Sequence, residues 1–310
     1  VKVAVLGVGL IGGSIGLAAR RRVAAHVVGY DPDAGALSKA VELGAIDAPA
    51  FEIADAVRDA EVVFVATPVG EAAQAARAAL EAAGPDCVVS DVGSTKRAIV
   101  AAVSDSRFVA GHPLAGAETA GVEHARKDLF VGATWYLTPP AGAGWLAAGA
   151  SSPADATPPP PVNPAPWAVE RLRRLIERFG ARPVAIDPDG HDMLMASVSH
   201  LPHVLANLLV AQALRAVESS DEKVVERGGL YAGPSFRDAT RVAGANTAIW
   251  TDIYMANGDL LAKTLDQTIE GLGAVRDALR AGDARALAAW NEQARTERDK
   301  LRRAGLTLGS

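Results

Sequence analysis

Over residues 1–110, short apolar runs rich in β-branched residues alternate with Ala-rich stretches whose apolar positions recur at helical spacing. Val3–Leu6, Val27–Tyr30, Val62–Ala66 and Cys87–Val89 are each a compact apolar run bounded by turn residues, which predicts buried parallel strands. Glu71–Ala83 reads as one of the helices between them. Such a βαβ rhythm predicts a doubly wound, mostly parallel sheet. Trp135–Thr138 and Arg182–Ile186 add strands, and Val169, Leu172, Leu175, Ile176 and Phe179 form a helical stripe that Gly180 ends. Beyond Asp187 the pattern turns helical. Leu261, Leu265, Ile269, Leu272 and Leu279 mark a long amphipathic helix whose stripe could face its own domain or a second subunit. The expectation is an α/β sheet domain over 1–186, then an all-α domain over 187–310, with no internal repeat.

One stretch fits neither pattern. Between Pro139 and Pro166 lie nine of the chain's 18 prolines, mixed with Ala, Gly and Ser. Proline removes backbone donors and the small residues offer little to bury, so a surface insertion is expected rather than a ligand for a partner domain.

Composition narrows the class. A chain of 310 residues, 49% hydrophobic, can bury the cores of two domains. Its net charge of −5 leaves no basic surplus for a phosphate backbone, so no nucleic-acid partner is expected. A single cysteine, Cys87, excludes an intramolecular disulfide and suits a core strand position. No secretory signal precedes the first strand, and no run of about 18 apolar residues is evident. A cytoplasmic protein without a membrane span is expected.

Candidate chemistry starts at the first strand. Gly7-Val-Gly9-Leu10-Ile11-Gly12 places G-x-G-x-x-G between a strand and a helix. The first glycine permits the tight turn, the second lets backbone approach a pyrophosphate, and the third lets the helix pack on the strand. Asp31 ends the second strand at the distance where a carboxylate accepts the ribose hydroxyls of a dinucleotide. The context predicts a Rossmann domain. No Arg or Lys lies between Asp31 and Ser38 to neutralise a 2′-phosphate, so NAD is expected over NADP. Thr67 and Pro68 follow another strand end, where the nicotinamide ribose would pass.

Four polar segments remain, which are Asp91–Lys96, Gly111–Glu118, Ser199–His203 and Ser235–Arg241. Pro202 must disturb the helical ladder around His200 and His203. Arg237 and Arg241 would share a helix face at i and i+4. Singly, each has a bland alternative: a structural histidine, a solvated arginine, a helix cap. His200 and His203 have no carboxylate or thiol at ligand spacing, so no metal is expected.

Together, GVGLIGGS, DVGSTK, GHPLAGAE, SHLPH, FRDATR and Trp250, in this order, resemble the prephenate/arogenate dehydrogenase family of tyrosine biosynthesis. The resemblance spans nearly the whole chain outside the Pro-rich stretch. It implies a Rossmann domain with a helical dimerisation domain, a homodimer, and oxidative decarboxylation of a cyclohexadienol to a phenol with hydride passing to NAD. Carried onto this sequence, it makes His112 the acceptor for the ring hydroxyl, with Ser94 orienting that hydroxyl and touching cofactor. It makes His203 and Arg241 substrate ligands, with Glu118 near the site entrance and Arg237 where relatives often carry lysine. His200 and Trp250 complete the expected substrate site. Prephenate is expected as substrate, with arogenate the alternative. A 3-hydroxyacid dehydrogenase would need a catalytic lysine, and Lys223 and Lys263 stand in no recognisable motif. A catalytically dead dinucleotide sensor would not need Ser94, His112, His203 and Arg241 together. Neither a chorismate mutase segment nor a C-terminal regulatory domain is expected.

Overall fold

The structure, a computed structural model, describes residues 1–116, 119–138, 164–219 and 232–305. Most of the Pro-rich stretch, Glu118 and Lys223 lie outside these. By packing, the chain divides into one compact unit over Val1–Gly258 and another from Asp259 onward.

The first unit opens with β1 (Lys2–Leu6), α1 (Leu10–Val23), β2 (His26–Tyr30), α2 (Ala34–Glu42), β3 (Ala48–Ala50), α3 (Ile53–Val57), β4 (Val62–Val65), α4 (Val69–Ala82) and β5 (Val88–Asp91). These strands form one parallel sheet in the order β3-β2-β1-β4-β5. β1 and β4 are buried on both faces apart from Lys2, as continuous apolar runs must be when helices cover both sides. The order reverses between β1 and β4, and in such sheets that reversal opens a crevice at the strands' carboxyl ends.

After α5 (Arg97–Ala102), a second sheet pairs β6 (Gly111–Pro113) antiparallel with β7 (Thr134–Leu137), and β7 parallel with β8 (Arg182–Ala185). Between β7 and β8 runs α6 (Pro166–Arg178), which buries Val169, Leu172, Leu175 and Ile176 before Gly180 turns the chain with φ of +90°. Phe64, Phe130, Trp135 and Phe179 cluster with centroid separations of 5.0–6.4 Å and tie the two sheets together. The strand lengths expected from sequence shift by one or two residues, and β6 carries His112 within it rather than after it.

The rest of the first unit is helical. α7 (Pro188–Met195) passes through a π-helical turn at Ala196–His200 into α8 (Leu201–Glu218). Pro202 follows directly on the π-helical turn, and its missing N–H leaves a gap in the ladder of this continuous helical run. Then come α9 (Pro234–Thr240), a 3₁₀ turn at Arg241–Gly244 and α10 (Thr247–Ala256). The helix expected to run through Arg237 and Arg241 therefore stops at Thr240, and the two arginines do not share a regular helical face. α11 (Gly258–Ala281) and α12 (Ala284–Arg303) form the second unit, and on α11 Ile269, Leu272 and Leu279 are exposed.

The expectation of no membrane-length apolar segment needs correcting. The continuous helical run Pro188–Glu218 is long and apolar enough, by length and composition, to cross a membrane. It also buries His191, Asp192, His200 and His203, whose polar partners lie within the same unit.

Candidate active site

The crevice between β1 and β4 is built to receive a dinucleotide. Gly7 adopts φ of +92°, and a Cβ there would collide with the Ala66 carbonyl, so only glycine brings β1 this close to the end of β4. A Cβ on Gly12 would overlap the Gly7 carbonyl oxygen, which fixes how tightly α1 packs on the turn. Around Gly9, by contrast, an added Cβ would meet nothing within 4 Å. Gly9 is the N-cap of α1 and no side chain caps that end, so first-turn N–H groups such as those of Leu10 and Ile11 have no capping side chain and could take an anion. Asp31 takes the Val8 N–H on Oδ2 at 2.9 Å and the Asp33 N–H on Oδ1 at 3.0 Å. Its carboxylate is thus anchored to the glycine turn, with lone pairs left for ribose hydroxyls. Thr67 and Pro68 bound the same crevice at the end of β4, and Ser94 follows the end of β5. These residues fit a nicotinamide dinucleotide.

Beyond β5 the chain buries charge. Lys96 is fully enclosed and its ammonium pairs with Asp91 Oδ2, which also accepts the Gly93 N–H at 2.9 Å. Asp91 Oδ1 accepts the Gly111 N–H at 3.1 Å and so pins the start of β6 to the end of β5. Burial pulls the Lys96 pKa below its ordinary value, with the Asp91 carboxylate opposing. Asp192 reaches in from α7. Its Oδ1 accepts the Lys96 N–H at 2.7 Å, and its Oδ2 accepts the Arg97 N–H at 3.0 Å. Burial alone would raise this carboxyl, but bonds from His191, Arg97 and Lys96 outweigh it and hold the group below the usual carboxylate range.

His112 stands beside this cluster, half-buried, on β6. Its Nδ1 lies 2.8 Å from Nε2 of His191, whose Nδ1 lies 2.7 Å from Asp192 Oδ1. The Tyr136 ring, cross-strand from His112, meets His191 edge-on. Burial holds the His112 pKa well below 6.5, with smaller contributions from His191, Lys96 and His200, so the ring is neutral at pH 7. No hydrogen bond joins Ser94 to His112 among the described residues; the Nδ1 partner is His191.

The SHLPH histidines meet α10. The Asn257 amide donates to the Asp192 carbonyl at 2.8 Å and approaches His200 Nδ1 at 3.2 Å, while Arg97 reaches the Asn257 oxygen at 3.1 Å. Burial pushes the His200 pKa down to about 4. The His203 ring stacks flat on Trp250, with centroids 3.6 Å apart and planes 4° apart, and Nδ1 of His203 bonds the Tyr254 hydroxyl. Nε2 of both His200 and His203 is buried without a hydrogen bond among the described residues. Arg237 and Arg241 are exposed, Arg237 beside Asp238. No group of metal-ligating side chains occurs among the described residues.

The family profile described as prephenate dehydrogenase, nucleotide-binding domain, matches residues 15–149, and that described as prephenate dehydrogenase, dimerization domain, matches 187–293. Prephenate dehydrogenase of Bacillus subtilis is 31% identical over 305 residues, covering 95% of this chain and 74% of that protein. The chain belongs to the prephenate dehydrogenase family. Cyclohexadienyl dehydrogenase of Zymomonas mobilis is 30% identical, over 91% of this chain and 89% of its own. Prephenate dehydrogenase from A. aeolicus, solved in complex with hydroxyphenyl propionate and NAD⁺, superposes with a TM-score of 0.80 at 26% identity, covering 97% of this chain and 98% of that one. The protein is an oxidoreductase with a Rossmann-type dinucleotide-binding domain and a helical C-terminal part.

Several residues of this family member's site escape sequence reasoning. His191, Asp192, Asn257 and Tyr254 stand in helical stretches where a polar residue ordinarily marks a solvated face. The available signal was weak: a His-Asp pair four residues into a helix that Asp187 caps through the Gly190 N–H at 2.8 Å.

Proposed function

We propose that the chain is an NAD-dependent prephenate dehydrogenase, converting prephenate to 4-hydroxyphenylpyruvate and CO2 in tyrosine biosynthesis. The observation that carries this reading is His112, an imidazole kept neutral by burial and set where β6 is tied to the carboxyl end of β5. When held in the crevice by the glycine turn and Asp31, a nicotinamide dinucleotide would supply the acceptor for the hydride that leaves the carbinol carbon of the ring. As hydride leaves, that carbon's hydroxyl becomes acidic, and Nε2 of His112 takes its proton. The bond from the ring to its carboxylate then breaks. Its electron pair aromatises the ring, the oxygen regains the proton, and CO2 departs. The base is neutral before and after, which suits an imidazole of depressed pKa.

Ser94 orients the hydroxyl, and Arg241 holds a carboxylate that does not react, with Arg237, His200, His203, Trp250 and Glu118 completing the substrate site. Gly7, Gly9, Leu10, Ile11 and Gly12 receive the pyrophosphate, and Thr67 and Pro68 border the nicotinamide ribose. NAD follows from Asp31, whose fixed carboxylate accepts ribose hydroxyls and repels a 2′-phosphate. A homodimer is supported by the exposed stripe Ile269, Leu272 and Leu279 and by the matched dimerisation profile, which begins where the functional division of the chain is placed, near residue 187; the same reading takes the enzyme as cytoplasmic.

The test is kcat/KM for prephenate and arogenate with NAD and NADP, on wild type and His112→Asn. Prephenate with NAD is expected to give the highest value, and His112→Asn to lower kcat by roughly 10²–10⁴. The acid limb of the wild-type profile is expected below pH 6.5, because activity is lost as pH falls through a depressed pKa. Turnover of neither substrate, or near-normal kcat in His112→Asn, would sink the proposal.

A further inference from the structure

The proposed base has two ring nitrogens, and only one arrangement of protons leaves the outer one able to accept. Asp192 receives four donors. Lys96 N–H and His191 Nδ1 reach Oδ1, and Arg97 N–H and Arg97 Nε reach Oδ2, the last at 3.4 Å. The Lys96 and Arg97 groups can only donate, and with them the carboxyl is held below the usual carboxylate range and ionised, so the proton shared with His191 sits on His191 Nδ1. In a neutral His191, Nε2 is then a bare lone pair. It lies 2.8 Å from His112 Nδ1, so that contact is a hydrogen bond that His112 donates. With its proton on Nδ1, a neutral His112 presents Nε2 as an unprotonated acceptor, and Nε2 has no hydrogen-bond partner among the described residues.

We propose that His191 and Asp192 are positioning residues that lock His112 in the Nδ1–H tautomer, so that its Nε2 stands ready to take the substrate hydroxyl proton. This rests on the reading of His112 as the base. The principle is the one by which a buried carboxylate holds a catalytic or metal-bound histidine in one tautomer, here extended through a second imidazole. The relay is rigidly seated. Asp192 is fully buried, and its backbone carbonyl accepts the Asn257 amide. His191 is fully buried too, with the Tyr136 ring against its edge. Burial also keeps His191 neutral at pH 7 against the pull of Asp192. No proton need travel to Asp192. The relay fixes which nitrogen is bare, and the substrate proton moves to and from Nε2 alone.

A mere structural role for the pair would alter stability without choosing a tautomer, so the decisive readout is spectroscopic. Long-range ¹H–¹⁵N spectra of the full-length enzyme, labelled at histidine and assigned with His112→Asn, report which ring nitrogen is protonated. In wild type the His112 ring is expected as Nδ1–H. In Asp192→Asn the new amide can donate to His191, reversing both bonds, and His112 is expected to switch to Nε2–H. With that switch, kcat is expected to fall by roughly 10²–10⁴ while KM stays within about threefold. If Asp192→Asn fails to fold, His191→Phe keeps the carboxylate and its backbone bonds and removes only the acceptor. The same loss of the Nδ1–H state and of kcat is expected there. A wild-type Nε2–H ring, a tautomer unmoved in the variants, or a switch that leaves kcat within threefold would each overturn the proposal. The tautomer is read without substrate, so an enzyme inactive on prephenate and arogenate would refute the proposed reaction while the relay was still judged by its spectrum.

Discussion

Protonating His200 should destabilise the fold, and the size of the effect follows from where the ring sits. The side chain is fully buried, and Asn257 donates to its Nδ1, so the neutral ring carries its proton on Nε2. A second proton must enter at Nδ1, break the Asn257 bond and leave an imidazolium without water. Burial accordingly holds the pKa at about 4 against an ordinary 6.5. The folded state binds fewer protons than the unfolded chain between these values. Stability is therefore complete above pH 6.5 and declines as pH falls toward 4, with a limiting slope of about 1.4 kcal/mol per pH unit for this one group. Over the whole window that is about 3 kcal/mol, a substantial share of a typical domain's stability. The check is urea unfolding from pH 7.5 to 4.0 at fixed protein concentration, comparing wild type with His200→Gln, which accepts from Asn257 but cannot titrate. Subtraction removes the contributions of the other buried histidines. The wild type should lose about 3 kcal/mol relative to the variant on acidification. A difference between the two that does not vary with pH would refute the reasoning.

Three further outcomes test other parts of the site. Asp31→Ser removes the carboxylate that is anchored to the Val8 N–H, so it should weaken NAD and narrow the preference over NADP by tenfold or so, read as kcat/KM for each cofactor. Gly12→Ala places a methyl on the Gly7 carbonyl, so the helix must shift off the turn; fluorescence titration should show NADH binding lost while far-UV circular dichroism persists. Arg241→Ala should raise KM for the substrate at least tenfold and change kcat much less, and the reverse pattern would remove Arg241 from its assigned role.

The sheet was largely legible in the sequence because each strand is an apolar run that no helix could use, and the glycine turn stands where such a sheet needs it. β3 and β6 were not, for a physical reason. Ala48–Ala50 and Gly111–Pro113 are three residues each, carry proline, and become strands only because longer neighbours offer them backbone partners. The arginine pair misled in another way. A helical spacing of four assumes an unbroken helix, and Thr240 ends this one. His112 could be picked out from its motif, but His191 could not, because its importance lies in a 2.8 Å contact made by residues 79 positions apart. Likewise Lys96 looks like a solvated charge in a loop until Asp91 and Asp192 are folded around it.

The π-helical turn explains how one helical run supplies three buried histidines. At about 100° per residue, an unbroken α-helix would put His200 about 180° and His203 about 120° around the axis from His191. All three could not then face the same interior. A π-turn accommodates one extra residue, so everything beyond it is rotated back by about 100°. That brings His203 to within about 20° of His191 and His200 to within about 80°. Their burial agrees, with His191 and His200 fully enclosed and His203 4% exposed, while Val198, inside the turn, is 41% exposed. The turn sits directly before Pro202, whose ring cannot supply a ladder N–H, so the wide turn forms where the regular α-helical pattern is already weakened. The proline in SHLPH thus acts through the backbone. It lets the run change phase between the histidine that holds His112 and the histidine that stacks on Trp250.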